Sequence, residues 1–248
     1  MPIDPELSAA ALGFETTFDN SIDAVASRDL VAEYVFVAGQ AMVTISRLSE
    51  DLLLWATQEF GWVTYQDRHT TGSSAMPQKK NPDMAELARG RAAGVIGDVA
   101  AILALQKGLP MAYNRDLQED KRILFHADDT LAATLAALRA MVAGAAFDPP
   151  QPSSWVGALD LAEALTERGV PFREAHHVVG RVVVELSRSG NELADADLAA
   201  LQAIDGRFVA GDLARLQPAD SVRVRRSAGG GSHAAVAAQI AQIRELVG

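Results

Sequence analysis

The chain has 248 residues, 49% of them hydrophobic and 6% aromatic, with no cysteine. Its 22 Lys and Arg stand against 32 Asp and Glu, a formal net charge of −10, which repels phosphate backbones and weighs against general nucleic-acid binding. The lack of cysteine excludes disulfides and thiolate metal sites, and a composition dominated by Ala and Leu favours an all-α fold.

Met1-Pro2-Ile3-Asp4-Pro5 has neither the basic start nor the apolar stretch of a secretory signal. No apolar run approaches the roughly 20 residues that a bilayer requires. A soluble, cytoplasmic chain with no membrane partner is expected. Residues 1–28 read as a loop with a short helix near Ser8–Leu12, and Asp19-Asn20-Ser21 offers cap and turn chemistry.

Residues 29–60 carry a long helical pattern. Val31, Val35, Ala38, Met42, Ile45 and Leu52 recur at helical spacing, and Leu30, Tyr34, Val37, Ala41 and Leu48 form a second row beside them. Two adjacent rows make an apolar face wider than a surface helix needs, which predicts a bundle shared between subunits. Gly39 is the one Gly or Pro within residues 29–60. Residues 61–82 lose the periodicity and read as a long functional loop. Helical patterning returns at 83–109, with Asp83 and Glu86 in the first turn, where acids suit the helix dipole. Gly90, Gly94 and Gly97 share one face and predict close helix packing. Residues 111–121 form a polar connection, and 122–146 another long helix.

Pro149-Pro150-Gln151-Pro152 predicts a stiff linker. It separates a domain at 1–148, with its special loop at 70–83, from a small helical domain at 153–248. Helices are expected there near 156–168, 172–188, 195–204, 209–215 and 233–247. Gly169 and Gly190 suit C-terminal caps, Pro171 the first helical position, Gly229-Gly230-Gly231 a flexible joint, and Ser232 an N-cap.

The chemistry concentrates in Gly72-Ser73-Ser74-Ala75-Met76-Pro77-Gln78-Lys79-Lys80-Asn81-Pro82-Asp83. Hydroxyls, two ammonium groups, an amide and a following helix N-terminus all favour an anion such as a carboxylate. The spacing is not that of a P-loop. The string resembles the signature of the fumarase/aspartase superfamily, in the variant of the argininosuccinate lyase family. Asn20-Ser21-Ile22-Asp23-Ala24-Val25 with Ser27-Arg28-Asp29, Ala112-Tyr113-Asn114-Arg115-Asp116-Leu117-Gln118-Glu119-Asp120-Lys121, and Gly169-Val170-Pro171-Phe172-Arg173-Glu174-Ala175-His176-His177 are similar to further segments of that family. The resemblance implies a long-helix bundle and a small helical C-terminal domain.

It also implies a β-elimination that splits argininosuccinate into arginine and fumarate, as part of arginine biosynthesis, in a homotetramer whose active sites are shared between subunits. Ser73 matches the catalytic base, with Lys79 and backbone amides as its activators. Lys79 and Asn81 match positions that hold the carboxylate bearing the developing charge. Glu86 matches the acid that pairs with a histidine from an upstream segment. Arg28, Ser74, Tyr113, Gln118 and Lys121 match substrate-binding positions. No metal and no cofactor are implied. Without the resemblance, Glu86 reads equally as a first-turn acid, Arg28 as a helix-flanking charge and Tyr113 as a packing residue. His176-His177 lacks the i, i+4 spacing of a metal pair and reads as one surface and one packing residue. His69, near the signature loop, is a weaker candidate.

Family members carry an N-terminal domain ahead of Asn20, so the chain reads as a C-terminal half with little or no turnover alone. Its Pro-rich linker also reads as shorter than the family's usual connection. Other members of the superfamily (adenylosuccinate lyase, aspartase, fumarase) and a structural protein derived from such a lyase, like the lens crystallins, are the alternatives.

Overall fold

The computed structural model describes residues 3–247; Met1, Pro2 and Gly248, the first two belonging to the N-terminal stretch considered above, lie outside them. The chain divides into two compact units with the boundary between Pro149 and Pro150. The described residues are mainly helical, with strands of only two residues, as the composition predicts.

In the first unit, α1 (Pro5–Leu12) starts earlier than the sequence pattern implies, because Pro5 fits the first helical position and Asp4 caps it. Where only a turn is read at Asp19-Asn20-Ser21, Asn20 caps a further helix, α2 (Ser21–Ala26). Its Oδ1 accepts from the amides of Ile22 and Asp23 at 2.9 and 3.2 Å. Then α3 (Asp29–Trp55) ends five residues short of the expected limit of 60. The amide of Trp62 donates back to the Trp55 carbonyl at 2.8 Å, and Gly61 takes a φ of 63°, so the chain reverses there.

The 61–82 stretch is more ordered than its composition predicts. It contains β1 (Val63–Thr64), a 3₁₀ turn at Asp67–His69, β2 (Thr71–Gly72) and β3 (Lys80–Asn81). It leads into α4 (Asp83–Gln106). A 3₁₀ turn at Arg115–Glu119 then feeds α5 (Asp120–Ala143), and β4 (Ala146–Phe147) pairs antiparallel with β1.

The bundle is formed by α3, α4 and α5. Glu50 meets Arg89 and Gly39 faces Val99, so α3 and α4 run antiparallel. His126 meets Asp98, while Tyr34 bonds to Asp128, so α5 is antiparallel to α4 and parallel to α3. The first apolar row of α3 enters the core: Val35, Ala38, Met42, Ile45 and Leu52 are buried with Ala85, Ala88, Ala92, Val95 and Ile102 of α4 and Ile123, Ala127, Leu138 and Met141 of α5. Val31 is partly buried. The second row is different: Leu30, Tyr34, Val37 and Leu48 are exposed on the single chain. The glycine expectation also shifts. A β-carbon at Gly90 or Gly97 would meet nothing within 4 Å, whereas Gly94 abuts His126 and Gly39, deep in the helix pair, abuts Val99. Close approach is set from the α3 side.

In the second unit, a 3₁₀ turn at Ser154–Gly157 precedes α6 (Ala158–Glu167), followed by α7 (Phe172–Arg188), α8 (Leu198–Ile204), α9 (Pro218–Arg223) and α10 (His233–Val247). The expected helix at 209–215 is a 3₁₀ turn, Ala210–Leu216. α9 was absent from the sequence reading because its six residues are too few to show a period. Leu161, Leu165, Val178, Val182, Leu193, Leu201, Phe208 and Leu216 form its core. Charged pairs fasten its edge: Arg168 binds Asp212 with two bonds of 2.8–2.9 Å, and Arg225 reaches both Asp160 and Glu163.

Gly169 and Gly190 take positive φ at helix ends, as expected. Pro171 caps α7 from outside instead of starting it. The Gly229–Gly231 stretch is a packed turn rather than a loose joint, since a β-carbon at Gly230 would lie 2.5 Å from the Arg225 carbonyl oxygen. Ser232 does cap α10, accepting from the Ala235 amide at 3.2 Å.

Candidate functional site

The signature segment is an antiparallel hairpin. β2 and β3 pair with Thr71 opposite Asn81 and Gly72 opposite Lys80. Two side-chain contacts fasten this neck. Thr71 Oγ1 donates to Asp83 Oδ2 at 2.5 Å, and Lys80 Nζ pairs with Asp67 Oδ1. The ladder ends at Gly72 and Lys80, so Ser73 and Lys79 are the first residues beyond it on the two sides of the hairpin.

Ser73 Oγ accepts from the amides of Ala75 and Met76 at 3.2 and 3.1 Å. Both donors favour negative charge on that oxygen. The Lys79 amide closes a turn onto the Met76 carbonyl at 3.1 Å. Ser74 is exposed at the start of this turn.

Beside the hairpin lies an open cleft of about 820 Å³. Lys79, Asn81 and Glu86 line it, together with Arg89, Glu50 from the last turns of α3 and Thr57 just beyond that helix. Arg89 Nη1 donates to Glu50 at 2.5 Å, and this hydrogen bond, with the charges of Glu50 and Glu86, raises the guanidinium pKa above its ordinary value. Ser73 is not among the lining residues of that cleft. His69 is buried in the 3₁₀ turn ahead of β2 with neither ring nitrogen hydrogen-bonded.

The other candidates gather elsewhere. Gln118 Nε2 donates to the Tyr113 hydroxyl at 3.1 Å, and Gln118 lies on the 3₁₀ turn that enters α5. Lys121 follows in the first turn of α5. Arg28, which precedes α3, reaches the same place: its Nε lies 2.5 Å from Asp120 Oδ2, while Lys121 Nζ lies 2.7 Å from Asp120 Oδ1. The family resemblance assigns Arg28 and Lys121 to substrate binding. In the chain by itself each pairs by charge with Asp120, a residue to which the resemblance assigns no role. The only signal was an acid between the quoted Glu119 and Lys121.

The two groups of residues sit at opposite ends of α3. Arg28 marks its start and the cleft its end. A helix of 27 residues at a 1.5 Å rise is about 40 Å long.

His176 and His177 are both exposed, with ring centroids 6.3 Å apart. The packing role expected for one of them is not seen, because Ala175, Val178 and Val179 already fill the buried side of α7. Among the described residues, no group of three or more His, Asp or Glu is arranged to hold a metal ion, and no helix is long and apolar enough to cross a membrane.

Three long helices, the middle one antiparallel to the other two and preceded by a donor-rich hairpin, define the helical fold of the fumarase/aspartase type. A variant of EDDS lyase with bound fumarate superposes with a TM-score of 0.82 at 27% identity, covering 99% of this chain and 52% of that one. The family model for lyases matches residues 1–97, and that for the argininosuccinate lyase C-terminal region matches residues 155–223. The argininosuccinate lyase of Cutibacterium acnes is 47% identical over 99% of this chain, and that of Thermobifida fusca 46% over 99%. The chain belongs to the argininosuccinate lyase family. It spans about half the length of these relatives, 53% and 52% respectively.

Proposed function

We propose that the chain furnishes the hairpin and carboxylate-binding residues of an argininosuccinate lyase of arginine biosynthesis, which releases arginine and fumarate in the cytoplasm. The observation that supports this reading is the β2–β3 hairpin, in which Ser73 and Lys79 follow directly on the paired Gly72 and Lys80 while two amides donate to Ser73 Oγ.

A proton beside a carboxylate is very weakly acidic, so its removal needs a strong base and strong stabilisation of the resulting aci-carboxylate. Ser73 as an alkoxide, stabilised by the amides and the Lys79 ammonium, takes that proton. Lys79 and Asn81 hold the carboxylate whose charge grows. The electron pair left on carbon then expels the guanidino nitrogen as the C–N bond breaks, and a general acid returns a proton to it. Glu86, on the cleft wall, orients a histidine supplied from another segment. Arg28, Ser74, Tyr113, Gln118 and Lys121 grip the rest of the substrate. The fumarate bound in the EDDS lyase variant supports a dicarboxylate in such a site.

A separation of about 40 Å keeps the two groups of one chain from serving one molecule of substrate. Their separation supports shared active sites, in which one copy brings its hairpin to the α5 end of another. The exposed second row of α3 supports the same arrangement, a homotetramer of bundles. The test is to join the chain to the N-terminal half of the Cutibacterium acnes relative and assay arginine and fumarate release. Turnover abolished by Ser73→Ala, with helicity and assembly retained, is the expected result. A Ser73→Ala enzyme that turns over at the parent rate sinks the reading.

A further inference from the structure

Asp120 is almost fully buried, its side chain 4% exposed. Each oxygen meets a different cation: Oδ2 the Nε of Arg28 at 2.5 Å, and Oδ1 the Nζ of Lys121 at 2.7 Å. The two cations are differently placed. Arg28 is 14% exposed, and its Nη1 also donates to the carbonyls of Ser27, Ala26 and Val25 at 2.8–3.4 Å, closing the end of α2. Lys121 is 54% exposed, so its ammonium keeps an open side. The carboxylate sits at the first residue of α5, where a negative charge is favoured by the helix dipole. It directly follows the 3₁₀ turn that carries Gln118, bonded to Tyr113. One acid therefore pairs by charge with a cation at the start of α3 and another at the start of α5, although neither Arg28 Nε nor Asp120 Oδ1 makes a directed hydrogen bond.

We propose that Asp120 is the positioning residue of the substrate-carboxylate subsite: it holds Arg28 and Lys121 in place for the anion without touching it. The inference rests on the reading of Lys121 and Arg28 as substrate contacts. Two cations and one acid leave a surplus of one positive charge, enough for one incoming carboxylate. Unrestrained, two such side chains lose more rotamer freedom when they bind an anion. Charge alone and positioning predict opposite signs. Removing an acid beside an anion site strengthens the local positive potential and tightens binding. Removing the group that orients the cations loosens it.

The test uses the complete lyase formed with the N-terminal half of the Cutibacterium acnes relative. Asp120→Asn is expected to raise KM for argininosuccinate and lower kcat/KM by about tenfold to a hundredfold, with a smaller change in kcat and with assembly intact. Lys121→Met in the parent is expected to raise KM, and to add little in the Asp120→Asn background, because that lysine is then already unplaced. A KM that is unchanged or lowered in Asp120→Asn overturns the proposal. A Lys121→Met enzyme with parent kinetics overturns the substrate-contact reading beneath it instead. Should Asp120→Asn fail to fold, Asp120→Glu carries the test. It keeps the charge and moves the carboxylate by one methylene, so a parent-like KM there also overturns the proposal.

Discussion

Gly39 of α3 lies against Val99 of α4: a β-carbon at Gly39 would stand 2.9 Å from Val99 Cγ2. Alanine gains about 0.5–1 kcal/mol over glycine in a helix interior, but forcing extra volume into a packed contact costs about 1–3 kcal/mol. Valine on a helix has one strongly preferred rotamer and gives way poorly. Gly39→Ala is expected to destabilise the first unit by about 1 kcal/mol. Gly97→Ala, with nothing within 4 Å, is expected to stabilise it by about 0.5–1 kcal/mol. Thermal unfolding of both variants checks the pair, and shifts of the same sign contradict it.

The fully buried Asp160 is matched by Arg225, whose Nη2 lies 2.5 Å from Oδ1. Arg225→Met leaves that charge without its cation. A cost of about 3–5 kcal/mol is expected in the second unit, read as a lower urea midpoint. Asp160→Leu added to Arg225→Met is expected to recover much of the loss, since an apolar pair of similar volume needs no charge compensation.

Burial pushes the Tyr65 phenol up to about 12, and its hydroxyl donates to the Leu52 carbonyl at 3.0 Å. The folded state favours the neutral phenol, whose ordinary pKa is about 10. Its contribution is therefore fully present below pH 10 and lost as pH rises from 10 towards 12. Stability measured across that range is expected to fall for the parent and to fall less for Tyr65→Phe. At neutral pH, Tyr65→Phe is expected to cost about 1 kcal/mol through the lost hydrogen bond.

The hairpin neck is fastened by Thr71 to Asp83. Thr71→Val removes that bond and leaves the bundle core untouched. Local opening is expected to become about fivefold more frequent, the equivalent of about 1 kcal/mol. Trypsin cleavage after Lys79 measures it, while the melting temperature of the bundle stays close to the parent's. Unchanged cleavage would show that the β2–β3 ladder and the Lys80–Asp67 pair sustain the neck without the threonine.

The long helices were legible because their apolar residues repeat at helical spacing over more than 20 positions. The short elements were not. β2 and β3 offer two residues each, too few for any alternation, and α2 is announced only by its cap, Asn20. The glycine face on α4 was misjudged because periodicity shows which residues share a side and not what stands opposite. Ser73, Lys79 and Asn81 stood out through an ordered string of residue types. Asp120 did not, since its burial and its two cations depend on Arg28, 92 positions away (120 minus 28), folding back onto it.

Because the ladder pins Gly72 and Lys80, freedom of movement grades along the seven residues 73–79. Chain reach is at most about 3.3–3.6 Å per residue. Ser73 and Lys79, one step from the pin on either strand, can drift only a few ångströms, whereas Met76, four steps out, has a chain reach of roughly 14 Å. Met76 is nevertheless folded back on the base of the flap, its amide donating to Ser73 Oγ and its carbonyl accepting from the Lys79 amide. Any displacement of the tip must therefore break contacts with the two residues whose aim matters most.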